Sequence, residues 1–262
     1  MYSEEHKKYL KKIKQSNFFV RFTQLSIIVL FIIVWQVLAD TEIINTFITS
    51  SPKEVIKTII DLHNSNNLYN HIWITIYETL LSFSLGTIIG IIVASILWWN
   101  KFLSKVLDPY LTILNSLPKV ALGPIIIIWA GASMNSIIIM ALLISVIITI
   151  INVYQGFIET DQVKLKLMKS FKATKSQTYF KLILPSSFPV IISTLKINIS
   201  MSLIGVIMGE FLVSKEGIGY LIMYGSQVFN LNLVMSGIII LCVVATLMYY
   251  AVLYIEKKLI KN

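Results

Sequence analysis

Residues 159–185, ETDQVKLKLMKSFKATKSQTYFKLILP, form a Lys-studded segment of helix-forming residues that closes on Leu184-Pro185. Long apolar runs flank it, at 134–154 before and 190–212 after. About 20 apolar residues suffice to cross a bilayer core of about 30 Å. A segment with lysines at 164, 166, 169, 172, 175 and 181 cannot do so. It belongs at a membrane surface, with a span on each side.

Four further runs, 22–39, 73–98, 110–131 and 233–255, bring the expected number of spans to six. With 56% hydrophobic and 13% charged residues, the chain is far more apolar than a soluble domain, where about a quarter of residues are charged. Backbone groups in lipid must be satisfied internally, and these runs lack the strict alternation of a barrel, so they read as helices. The expected fold is an all-α membrane protein with an N-terminal arm (1–21), a membrane domain (22–257) and a short tail (258–262). The first run is too long for the h-region of a signal peptide, about 7–15 residues, and no small-residue cleavage site follows it. It reads as a retained span.

The net charge of +9 could indicate nucleic acid, but its distribution indicates topology. With the N-terminus inside, Lys7, Lys8, Lys11, Lys12, Lys14 and Arg21 of the arm, Lys101 and Lys105, the six lysines of 159–185 and Lys257, Lys258 and Lys261 share one side. Only Lys53, Lys57 and Lys215 fall on the other, and Lys119 and Lys196 lie near membrane depth. The positive-inside bias then puts both termini and the 159–185 loop in the cytoplasm. No nucleic-acid partner is expected.

Several chemistries are excluded. The one cysteine, Cys242, lies in the sixth run, and His6, His63 and His71 have no metal-ligand spacing. Neither a GxxxxGK loop nor an HExxH motif occurs. No catalytic residue, metal or cofactor is expected, and the energy for any transport must come from elsewhere.

The polar loop 40–72 contains Ser51-Pro52 ahead of a short amphipathic helix with Val55, Ile59 and Leu62 on one side; Ser51 and Glu54 have the spacing of a capping box. Gly86 and Gly90 form a GxxxG pair with Ala94 a turn on, suited to packing within the chain or across a dimer. Pro118 and Pro124 bracket Lys119 and should break the third span. Lys119 either snorkels or faces a wet interior, because a lysine at the bilayer centre costs about 2.5–3.5 kcal/mol. In the fifth span Asn198, Ser202, Gly205 and Gly209 share a helical face, with Glu210 beside it. That face is a packing seam or, with Lys119 and Glu210, the wall of a path.

Within 159–185, Val163, Leu167 and Phe171 recur every four residues among lysines, and Tyr179, Phe180 and Ile183 form a second apolar set. Two short amphipathic helices of this kind fit a groove on a partner protein. An interfacial segment on anionic lipid would have the same pattern.

Resemblance separates the two. The segment resembles the ATPase-coupling loop of binding-protein-dependent ABC importer permeases through Lys169-Ser170-Phe171, Ala173, ILP at 183–185 and Phe188-Pro189. PKEVIKTI (52–59), TIYETLLSFSLGTIIG (75–90), LPKVALGPIIIIWAG (117–131) and GEFLVSKEGIGYLI (209–222) are similar to the nitrate, sulfonate and taurine branch. The resemblance implies a type I importer (MetI-like) permease fold of six helices in the cell membrane. It implies a partner ATPase, an external solute-binding protein and a second permease copy, most simply a homodimer. The solute would be a sulfonate, taurine, nitrate or a vitamin precursor. ATPase contact would fall to Val163, Leu167, Lys169, Ser170, Phe171, Ala173, Phe180, Leu184 and Pro185. Two positions depart from the family pattern: Lys166 replaces a glutamate, and Lys172 replaces a turn-forming glycine. The rival reading is a self-contained secondary transporter or channel, which would need paired intramembrane charges; Lys119, Lys196, Glu78 and Glu210 show no obvious pairing in sequence.

Overall fold

The computed structural model describes residues 4–65 and 67–260. Arm residues 1–3 and the tail's Lys261 lie outside the described residues, as do the side chains of Lys7 and Lys8. The elements are α1 (Glu4–Asp40), α2 (Thr46–Thr49), α3 (Pro52–Asn64), α4 (Asn67–Trp99), α5 (Lys101–Ser116), a 3₁₀ turn (Lys119–Leu122) and α6 (Gly123–Ala130). They continue with α7 (Met134–Ile158), α8 (Gln162–Ser170), α9 (Lys175–Thr178), a π turn (Tyr179–Ile183), α10 (Leu184–Val213), α11 (Ile218–Gln227) and α12 (Leu231–Ile260).

Five helices are long and apolar enough to cross a membrane, and a sixth crossing requires the pair α5–α6, bent by 89°. Length explains why the arm is not a separate element. α1 has 37 residues, so at 1.5 Å per residue it is about 55 Å long and overshoots the hydrocarbon core well past Arg21.

The third span differs from its expected form. A single residue, Asn100, separates α4 from α5, and it caps α5 by accepting from the amides of Phe102 and Leu103, both at 3.0 Å. Of the two prolines expected to break the span, only Pro118 does so. It drives Leu117 into extended backbone (ψ 139°) and ends α5. Pro124 sits in the first turn of α6, where its missing N–H costs nothing.

α4, α7 and α10 form the centre of the molecule because their facing positions are small. A Cβ added at Gly90 would lie 2.6 Å from Thr149 Cβ, and one at Gly209 would lie 2.8 Å from Ile137 Cα. Gly86 meets Ser145 and Gly205 meets Ala141 in the same way. Such close backbones are how helices attract in lipid, where no hydrophobic force separates lipid from protein. The GxxxG pair therefore packs within the chain. A second layer rests on α10: Leu203, Ile207, Ile218, Ile240, Val244 and neighbours join α10, α11 and α12, with Ile59 and Leu62 of α3 packed against them. Ser51 caps α3 by accepting from the Glu54 amide at 3.3 Å.

Candidate functional site

The 159–185 loop is built as a rigid bracket. Asp161 accepts from the Val163 amide at 2.8 Å and starts α8. The helix ends in a Schellman motif: the Ala173 amide donates to Met168 O at 3.0 Å and the Lys172 amide to Lys169 O at 2.9 Å. That motif needs a left-handed residue after the cap, and Lys172 has φ 53°. The position where the resembling family has glycine thus keeps the glycine-type conformation with a lysine in it. Thr174 and Gln177 then cap α9 reciprocally. The capping box of the chain is here.

A buried aromatic cluster fixes this bracket to the membrane helices. Tyr179 and Ile183 of the π turn are buried beside Ala94, Val153 and Phe157. Tyr179 OH lies 2.6 Å from Ser95 Oγ, and its ring sits 5.1 Å from Trp98 and 5.8 Å from Phe157. Lys175 Nζ lies over Trp98 and Trp99, 5.7 and 5.6 Å from the ring centroids, and donates to Trp99 O. Of the second apolar set, Tyr179 and Ile183 point inward and only Phe180 points out.

The opposite face is bare. Val163 and Phe171 are each 72% exposed, Phe180 61% and Leu167 54%. Lys164, Lys166, Lys169, Lys172 and Lys181 surround them, also exposed. Lys169 and Ser170 are exposed at the end of α8, Pro185 is exposed in the first turn of α10, and Ala173 and Leu184 are half-buried. Four apolar side chains on one rigid, lysine-rimmed surface can seat a partner groove with little ordering cost.

Lys172 carries a conformational cost that glycine would not. A non-glycine residue in the left-handed region is disfavoured by about 1–2 kcal/mol. Lys172→Gly is therefore expected to leave the loop geometry and coupled transport unchanged, and to raise loop stability by up to about 1 kcal/mol. Amide exchange at Lys172 and Ala173 checks it; faster exchange in the variant would mean the lysine side chain holds the turn.

The residues expected to line a path fall elsewhere than expected. Asn198 and Ser202 are fully buried, and Asn198 Nδ2 donates to Thr87 Oγ1 at 2.6 Å. Gly205 and Gly209 are closed off by Ala141 and Ile137 of α7. In this structure the face is a seam, because its small residues let two backbones meet. Lys119 is half-buried at the α5–α6 elbow, and Nζ donates to Asn115 O at 2.9 Å, capping the end of α5. Glu210 is 1% exposed and accepts from Thr75 Oγ1 at 2.6 Å and from the Gly219 amide at 2.5 Å.

Two charged pairings were not evident in sequence. Lys196 Nζ lies 2.9 Å from Glu256 Oε1, joining α10 to α12, and Glu78 meets Glu210. Spacing could not reveal either, since the partners lie on different helices. The Trp98-Trp99 pair ahead of Asn100 was the one available signal for the aromatic anchor, and EGIG (216–219) the one for the Glu210 contacts.

Comparison with known proteins agrees with this architecture. Residues 86–261 match the family described as the inner membrane component of binding-protein-dependent transport systems. The putative aliphatic sulfonates transport permease of Bacillus subtilis is 29% identical over 230 residues, 88% of this chain and 83% of that one. The formylaminopyrimidine transport permease of Halalkalibacterium halodurans is 28% identical over 188 residues, covering 72% of this chain and 74% of its own. The taurine transport permease of Escherichia coli is 20% identical over 231 residues, 86% and 84%. In fold, the chain is similar to a subunit of the methionine ABC transporter MetNI in an inward-facing conformation, with TM-score 0.65, 18% identity and coverage of 73% and 95%. A self-contained carrier or channel is therefore set aside: the chain belongs to the binding-protein-dependent transport system inner membrane component family, as the multi-pass permease of an ABC importer.

Proposed function

We propose that two copies of this chain form the path, and that each seats its 159–185 loop in a groove of a cytoplasmic ATPase. The observation that carries this reading is the contrast within one short loop. Tyr179 and Ile183 are sunk in the membrane core while Val163, Leu167, Phe171 and Phe180 stand out from it. A loop built this way passes a push from the partner into α4, α7 and α10 as a rigid-body movement. Lys169 and Ser170 border the contact, and Ala173, Leu184 and Pro185 set its angle.

The path lies on the other side of α10 from the seam. Ile197, Ser200 and Ile204 share an exposed face, and the α5–α6 elbow with Lys119 would close it from the second copy. An external binding protein delivers the solute, which belongs with those of the relatives: an aliphatic sulfonate, taurine or a formylated aminopyrimidine. Both termini and the loop are cytoplasmic, the membrane domain 22–257 being followed by a short tail.

Orientation is tested by labelling in intact cells, in a background where Cys242 is serine. An impermeant maleimide should label Asn64→Cys at the end of α3, and Ser176→Cys only after permeabilisation. Labelling of Ser176→Cys from outside would remove the loop from the ATPase side and end the reading.

A further inference from the structure

At the end of the bundle away from the coupling loop, two carboxyl groups meet. Glu78 of α4 and Glu210 of α10 are 4% and 1% exposed, and their side chains hydrogen-bond to each other. Among the described residues neither forms an ion pair. The chain is shaped around Glu210. Thr75 Oγ1 and the amides of Gly219 and Tyr220 all donate to it. Gly217 (φ 103°) and Gly219 bring the N-terminus of α11 against the carboxyl, where a Cβ at 219 would lie 2.7 Å from Oε2. Thr75 in turn accepts from the Ile218 amide at 2.8 Å, and His71 Nδ1 from the Gly217 amide at 2.9 Å.

Glu78 is different. Its Oε2 is buried without a partner, and it borders a cavity lined also by Tyr77, Ser133, Ser214, Lys215 and Glu216. Two carboxyl groups can hydrogen-bond only through a proton that one of them carries, and two adjacent carboxylates repel. Glu210 has the donors and the helix N-terminus that favour a carboxylate. Glu78 has neither. The charged and titratable groups nearby are His71 and Tyr77 on α4, Lys215 and Glu216 in the α10–α11 turn, and Tyr220 on α11. His71 Nδ1 accepts a hydrogen bond and so bears no proton there.

We propose that Glu78 holds a proton and donates it to the Glu210 carboxylate, so that a proton-bridged carboxyl pair latches α4, α10 and α11 together at the outer end. The ligand of this site is a proton, reached through the Glu78 cavity. The closed latch binds one more proton than the open one, so it is strongest at low pH and loosens as pH rises. Calling this end outer rests on the topology proposed above, but the latch and its test do not.

The test uses the purified permease in nanodiscs, with both faces in solvent. Infrared spectra should show a protonated-carboxyl C=O band that shifts in D₂O, disappears as pH is raised, and is missing in Glu78→Gln. In parallel, amide protection at 217–220, corrected for intrinsic exchange, should fall roughly ten- to a hundred-fold at alkaline pH. Glu78→Gln keeps a donor that cannot ionise, and Glu78→Lys makes an ion pair; both should hold protection constant with pH. A wild-type protein with no such band, or with protection flat over the same range, overturns the proposal. The wild-type titration decides alone if a variant does not fold. A failure here leaves the ATPase contact untouched, and loss of the ATPase contact leaves the latch standing.

Discussion

Phe171→Asp is expected to separate this permease from its ATPase while the membrane helices remain folded. Phe171 is 72% exposed and touches none of the buried clusters, so its removal leaves no cavity. Seating a Phe side chain in a partner groove is worth roughly 1.5–3 kcal/mol, which is about ten- to a hundred-fold in a subunit equilibrium. Aspartate goes further, because docking would then bury a charge without a partner. It also places a negative charge at the end of α8, where the helix dipole disfavours it by about 0.3–1 kcal/mol. Phe171→Ala separates these effects, giving the smaller loss. The measurement is pull-down of the ATPase from detergent together with uptake in cells, with the thermal unfolding of the permease as control. Wild-type values for both in Phe171→Asp would mean that the loop lies on lipid, and coupling would have to be sought elsewhere.

The sequence made the loop legible because its pattern is local. Val163, Leu167 and Phe171 recur at helical spacing, and the exposure of all three in the structure agrees with that spacing. Lys172 was legible as a departure but not as a conformation. Its φ of 53° depends on the Schellman hydrogen bonds around it, and no propensity favours lysine there. Tyr179 and Phe180 looked alike in sequence, yet one is buried and the other exposed. The π turn rotates them apart, and nothing in YFKLI announces it. The bend at Pro118 was readable from proline chemistry, whereas its 89° angle was not.

Pairings between helices were the least accessible. Glu78 and Glu210 are far apart in the chain, and each alone resembles an acidic residue near a membrane interface. Only packing of α4 on α10 brings them together. Packing also decided the fifth-span face. Asn198, Ser202, Gly205 and Gly209 fit a seam and a path equally as a list of small and polar residues. The distinction lies in Ala141 and Ile137, whose place opposite them comes from the tertiary fold.

Gly209→Val and Ser202→Trp should therefore fail at folding and not merely at transport. At Gly209 the first added carbon would come 2.8 Å from the Ile137 Cα and 2.9 Å from its Cγ2, so backbone would have to move. Overpacking of a tight core costs typically about 1–3 kcal/mol, and here it also parts α7 from α10 along the seam that carries Ala141. Ser202 is fully buried, and a tryptophan there has no space without separating the same helices. Both variants are expected to lose the monodisperse detergent-solubilised permease, and with it ATPase binding and uptake together. Ser200→Trp is the control. Ser200 lies on the exposed face of α10 with Ile197 and Ile204, so that variant should fold and bind the ATPase at wild-type levels but take up solute poorly. The opposite pattern would be decisive in its own way. If Ser202→Trp assembled normally and lost only uptake, the seam would have to open during transport, and Asn198, Ser202, Gly205 and Gly209 would line the path after all.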